Sequence, residues 1–206
     1  MEKANAIDVK LYNSSLDGDL DGVEDALRQG GRVAIRNPEG YTPLLAAAAG
    51  GNLDICGLLL AHGSDVNEVG LKTKSTTLHL AALRGQKAVV EAFLSWGATA
   101  DLQDHTGTTP LFSACQEGHL ACVLILLKAG PSMYLGTVEH GGRLPIHVAA
   151  QRNRVEIVRT LVDHGCSPNV VSCFDNTLST LISSSLLSAK QCGRDHTTHV
   201  CSIVRS

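Results

Sequence analysis

Aromatic residues are scarce: three Phe, three Tyr and one Trp in 206 residues. A core built on stacked rings is therefore excluded, and the 44% of apolar residues must pack through Ala, Leu, Val and Ile, as close-set short helices do. No apolar run approaches the ~18 residues that span a bilayer, and residues 1–10 lack the apolar stretch of a signal peptide. Lys and Arg nowhere gather into a long run, and neither do Asp and Glu. With a net charge of −3, this argues against nucleic-acid binding or an anionic tail. Gly-x-Ser-x-Gly, His-Glu-x-x-His and the Walker phosphate loop are all missing. These absences point to a non-enzyme of the cytoplasm or nucleus. It is expected to hold no cofactor, to bind no small-molecule substrate, and to associate with neither membrane nor nucleic acid.

What is abundant is glycine, 20 residues of it, and it recurs at a fixed step. Gly30, Gly63, Gly97, Gly130 and Gly165 follow one another at intervals of 33, 34, 33 and 35. Each closes an apolar stretch, where a helix end commonly requires positive φ. A second ladder lies between them. Tyr41-Thr42-Pro43-Leu44, Ser75-Thr76-Thr77-Leu78, Thr108-Thr109-Pro110-Leu111 and Arg143-Leu144-Pro145-Ile146 open helices at residues 42, 76, 109 and 144, steps of 34, 33 and 35. Thr supplies a hydroxyl cap, and Pro fits a first turn that needs no N–H. The fullest unit runs from Asp104 to Gly130: a turn, a helix opened by Thr109-Pro110, a break at Gly118, and a second apolar helix. Such a unit cannot bury its apolar side alone and needs copies of itself.

A period near 33 with Thr-Pro-Leu-His-x-Ala-Ala at its head resembles the ankyrin repeat. The resemblance implies an all-α solenoid of helix-turn-helix units with β-hairpin loops. The units are 1–36 (a degenerate, acidic N-terminal cap), 37–70, 71–103, 104–138 with an extended loop, and 139–171. Residues 172–188 read as a degenerate C-terminal cap and 189–206 as a disordered tail. In the first unit Leu11, Leu16, Leu20, Val23, Ala26 and Leu27 keep helical spacing. The third has no glycine in its turn (Lys72-Thr73-Lys74), so its hairpin is expected to be looser. The fourth is expected to bulge over 131–142.

Seven Cys and nine His invite a metal reading. Cys192, His196, His199 and Cys201 lie close in sequence but match no structural zinc spacing, so no metal site is assigned. Cys56, Cys115 and Cys122 sit in apolar helical stretches, where a thiol packs as a small hydrophobe. His79 and His147 fill the His place of the motif, which implies a structural bond between turns. Cys115 and His119 are four apart, but Gly118 interrupts the helix between them, which argues against a catalytic pair.

The family resemblance also implies function: a concave groove that reads a protein partner. The residue before Thr-Pro, the hairpin tips and the pair after Ala-Ala do the reading. Carried onto this chain, that gives Tyr41 and Arg143 in the first class, Lys72, His105 and His140 at the tips, and Leu83, Arg84, Gln116, Glu117, Gln151 and Arg152 after Ala-Ala. Ser75 and Thr108 also fall in the first class, and Glu39 at a tip. Arg84, Arg143 and Arg152 on one face suit a partner with acidic character. The expectation is a monomeric scaffold or adaptor. The alternative is a substrate receptor of a ubiquitin ligase of the ankyrin-plus-SOCS-box type. Here Leu186-Leu187-Ser188-Ala189-Lys190 puts Lys where one register of the elongin-recruiting box needs Cys, and the next offers Gln191.

Overall fold

A computed structural model describes residues 6–137 and 142–167. They form ten helices: α1 (Ala6–Asp17), α2 (Leu20–Arg28), α3 (Pro43–Gly50), α4 (Leu53–Ala61), α5 (Thr77–Arg84), α6 (Lys87–Ser95), α7 (Pro110–Glu117), α8 (Leu120–Lys128), α9 (Pro145–Gln151) and α10 (Val155–Asp163). The odd-numbered helices stack on one another as an inner row, the even-numbered ones as an outer row, and each pair packs together at its own level. His140 and the readings for 172–188, 189–206 and the Cys192–Cys201 group lie outside the described residues.

The inner helices α3, α5, α7 and α9 open where the ladder predicts. Thr42 and Thr109 sit in extended conformation, and their hydroxyls accept from the N–H of Leu45 (3.4 Å) and Phe112 (3.2 Å). Thr76 uses a histidine instead. Its N–H donates to His79 Nδ1 at 3.1 Å, and its hydroxyl lies 2.8 Å from the same nitrogen. Nδ1 is thereby an acceptor, so the proton resides on Nε2. Nε2 donates 2.8 Å across to the carbonyl of Thr108 in the next unit. Burial lowers the pKa of His79 below its usual value, which favours this neutral form. In α9, Leu144 has no hydroxyl to offer, but its N–H still finds His147 Nδ1 at 3.0 Å.

The core is continuous through the units and is aliphatic, as the scarcity of rings requires. Leu11, Leu44, Leu59, Leu78, Leu111, Leu126, Ile146 and Leu161 are fully buried, with Phe93 the largest among them. Ala47, Ala48, Ala81, Ala82, Ala114, Ala149 and Ala150 are buried on the inner row, where small side chains let helices approach closely. In the first unit Leu11, Val23 and Ala26 face the core. Leu16 and Leu20 lie in α1 and α2 as their spacing implies, but flank the turn between them and are half exposed and about a third exposed (50% and 36%). Cys56, Cys115, Cys122 and Cys166 are buried free thiols. Burial pushes Cys56 up to about 12 and raises the other three, so they remain protonated packing groups.

The expected β-hairpins are realised as turns: among the described residues there is one isolated antiparallel bridge, Val69 to Thr76, and no strand. Side chains explain the difference. Asn37 Oδ1 accepts from the N–H of Glu39 (3.1 Å) and Tyr41 (2.8 Å), and Asp104 Oδ1 from those of Thr106 and Thr108, both 2.9 Å. A local carboxyl or amide thus takes the N–H groups that a strand ladder would use. The third unit has Gly70 in that place, with no side chain to take those groups, and it is the one that shows the bridge. Its turn is not looser. Lys74 takes the left-handed conformation (φ 53°) that Gly40 and Gly107 adopt in theirs. Lys74 N–H donates to Gly70 O at 2.8 Å, and Thr73 O accepts the His105 N–H at 2.9 Å.

Candidate functional site

The glycine ladders have different surroundings, and the difference shapes one edge of the stack. At Gly63, Gly97, Gly130 and Gly165, which close outer helices, an added Cβ would meet nothing within 4 Å. The inner-helix glycines are covered by the following unit. A Cβ at Gly18 would come within 3.0 Å of Asn52, at Gly51 within 3.2 Å of Gln86, at Gly85 within 2.5 Å of His119, and at Gly118 within 2.6 Å of Arg154. Those four residues hold the same place, just before the outer helix. Two also bond backward: Gln86 Nε2 donates to Ala49 O (3.0 Å), and His119 Nε2 lies 3.2 Å from Leu83 O. In each of the first four units one glycine is the space into which its successor locks.

The residues after Ala-Ala lie beside this edge. Leu83 and Arg84 are exposed, and Arg84 Nη1 donates to Ala49 O at 2.5 Å, so part of its guanidinium ties unit three to unit two. Gln116 and Glu117 are half-buried and bonded to each other at 2.9 Å. Gln151 and Arg152 are exposed, and Arg152 has no ion-pair or hydrogen-bond partner for its side chain among the described residues. Arg143 Nη1 donates to Gln151 Oε1 at 3.1 Å. That bond joins a residue preceding an inner helix to one at its far end, which places both classes on one face.

On the hairpin side, Lys72 and His105 are exposed. His105 Nδ1 lies 2.8 Å from Thr73 O and therefore carries its proton there. Tyr41 is half-buried, and its ring lies beside Gly70. Sequence reasoning missed its neighbour Tyr12, a second half-buried aromatic, whose hydroxyl accepts from Asn37 Nδ2 at 2.9 Å. Burial raises the pKa of Tyr12, and the charge of Glu39 raises it further. No spacing rule could pair residues 12 and 37, because α1 carries no Thr-Pro mark to register it against the next unit. Asp8 was missed for the same reason. It is buried, and its carboxylate takes Arg32 N (2.9 Å), Nε (3.1 Å) and Nη2 (2.8 Å), closing the first unit.

Among the described residues no group of three or more His, Cys, Asp or Glu is arranged to hold a metal ion. None of their helices is long and apolar enough to cross a membrane. At the assigned places the described residues offer exposed Lys72, Leu83, Arg84, His105 and Arg152 with half-buried Tyr41.

A family model described as ankyrin repeats (three copies) matches residues 11–104 and 78–172. The chain is 32% identical over 156 residues to the ankyrin repeat and KH domain-containing protein mask-1 of Caenorhabditis elegans, covering 74% of this chain and 6% of that protein. It is 31% identical over 162 residues to the E3 ubiquitin-protein ligase KEG of Arabidopsis thaliana (78% and 8%). With NF-kappa-B inhibitor alpha of Mus musculus it shares 34% over 100 residues (47% and 32%). The chain thus spans less than a third of the length of each of these relatives. The matched segments contain both ladders and all ten helices but for the first turns of α1, and the chain belongs to the ankyrin-repeat family.

Proposed function

We propose that this chain is a non-catalytic scaffold or adaptor that holds a protein partner against the face running along its inner helices. Ankyrin repeats typically serve protein–protein interaction. The observation that carries the finer reading is the Arg143–Gln151 bond, because it brings a residue preceding an inner helix together with the last residue of that helix. The other units repeat these two positions as Tyr41, as Leu83 with Arg84, and as Gln116 with Glu117. Arg and Tyr dominate binding hot spots, and Arg84, Arg143 and Arg152 favour a partner segment of acidic character. Lys72 and His105 extend the surface to the tips, with His140 assigned to it by repeat position. Unit divisions after residues 36, 70, 103 and 138 belong to the same reading, as do a monomeric state and a place in the cytoplasm or nucleus.

The test is affinity capture from lysate with the full chain and with Arg84→Glu/Arg152→Glu, after circular dichroism has shown equal helicity. Loss of a retained protein in the variant supports the groove. Retention of the same proteins by both overturns it. A second reading, substrate recognition for a ubiquitin ligase, draws on the likeness to the E3 ligase KEG over 78% of this chain. Co-purification of elongin or cullin with residues 172–206 would favour it, and failure to recover either would remove it for this chain.

A further inference from the structure

A cavity of about 830 Å³ opens at the tips of the second and third units, between the loop from Arg32 to Gly40 and residues Leu71 and Lys72. That volume is in the range of sites that enclose a ligand side chain or more. Its apolar lining comes from Ala34, Ile35, Pro38 and Leu71. Leu71 is 57% exposed, the most exposed large aliphatic side chain among the described residues. It is nevertheless held in place: its N–H donates to Gly40 O at 3.2 Å, and its Cβ and Cγ lie so close to Gly40 that any side chain there would collide. The fold thus keeps an unburied leucine at a fixed position beside an open cavity whose lining adds Ala34, Ile35 and Pro38.

The charges around the rim are unequal. Arg32 is neutralised by Asp8. Arg36 is pinned by the carbonyls of Gly40 (2.9 Å) and Val69 (2.7 Å), with Glu68 close enough to feel its charge. Carbonyls position a guanidinium without cancelling it. Lys72 is exposed and forms no ion pair among the described residues. Glu39 is the single acid of the lining. A fixed leucine between a pinned Arg and a free Lys complements an apolar side chain flanked by carboxylates.

We propose that this cavity is the anchor subsite for the partner: a peptide segment inserts an apolar side chain against Leu71 and Ile35 and sets neighbouring Asp or Glu carboxylates against Lys72 and Arg36. The proposal rests on the protein-binding reading above and names one place on the surface where the partner is anchored. Its open rim suits an extended chain better than a compact small molecule, which would stay largely solvated there.

A random dodecapeptide library displayed on phage is selected on the full chain, and the enriched peptides are resynthesised with a fluorophore for anisotropy. Enrichment of an apolar residue flanked by Asp or Glu is expected, with binding weakened by salt. Leu71→Ser/Lys72→Glu should weaken it about tenfold or more. Both substitutions are at exposed positions, and circular dichroism checks that helicity is kept. Peptides without acidic flanks, no enrichment over a blank surface, or equal binding to the tip variant overturn the subsite. If the tip variant binds normally but Arg84→Glu/Arg152→Glu does not, the groove reading survives and only the subsite falls. If neither variant matters, both fall.

Discussion

His79→Ala should be among the most damaging single substitutions on the inner row, and its cost should depend on pH. The imidazole is buried; it accepts from Thr76 N–H and donates to the part-buried Thr108 O at 2.8 Å. Two such bonds contribute about 1 kcal/mol each, and a buried group left unpaired costs about 1–3 kcal/mol. Removing the ring orphans the Thr76 N–H, weakens the seam between the third and fourth units and leaves a void. The sum is roughly 3–5 kcal/mol, a large share of the roughly 5–15 kcal/mol typical of a folded domain. Burial holds the folded pKa below the usual 6.5, so the folded state prefers the neutral ring. This contribution is therefore fully present above the unfolded pKa and is lost as pH falls through the folded value. The void does not titrate. Urea unfolding of both proteins, followed by circular dichroism at about pH 7.5 and about pH 5.5, separates the two parts: the difference between the proteins should shrink in acid. A difference under about 1 kcal/mol at the higher pH, or one equal at both, would refute the assignment of Nδ1 as acceptor and Nε2 as donor.

Two glycines from the two ladders should respond differently to the same change. Gly85→Ala meets positive φ (70°) and also the His119 ring. It should cost about 1–2 kcal/mol for the backbone and about 1 kcal/mol more as the ring loses Leu83 O. Gly165→Ala, at φ 95° with open space around it, should show the backbone cost alone; thermal melts of the two variants compare them directly, and equal losses would contradict the locking of each unit on its predecessor. Lys74→Gly should be stabilising by about 0.5–1 kcal/mol, because Lys74 holds φ 53° where the other described turns use glycine; an unchanged urea midpoint would count against strain there.

Local chemistry was legible in the sequence, and contacts between units were not. Thr42, Thr76 and Thr109 open helices because a hydroxyl or a nearby imidazole satisfies an orphan N–H, and that logic is contained within four residues. The third turn was misjudged because missing glycine was read as missing order. Lys74 adopts the glycine conformation, and the His105 bond to Thr73 from the next unit secures it. Arg84 is assigned to the groove by its place after Ala-Ala, and its spacing gave no sign that its guanidinium also reaches Ala49 O, 35 residues back. Asp8 with Arg32 and Tyr12 with Asn37 were invisible because the first unit lacks the marks that set register. Asp8 with Arg32 closes the first unit on itself; in the other cases the partner is supplied by stacking geometry, which spacing along one unit does not encode.

The seat that each inner-helix glycine provides for its successor has a mechanical consequence. Every tie described here, from Gln86 to Ala49, His119 to Leu83 or His79 to Thr108, joins immediate neighbours. None spans two units, so tension applied to the two ends of the chain would be borne by the seams in series. The weakest seam yields first while the rest keep their shape, and rupture proceeds as a succession of small events instead of one large one. Because the residue filling each seat differs (Asn52, Gln86, His119, Arg154), the seams are graded, and the order of peeling is written in four side chains.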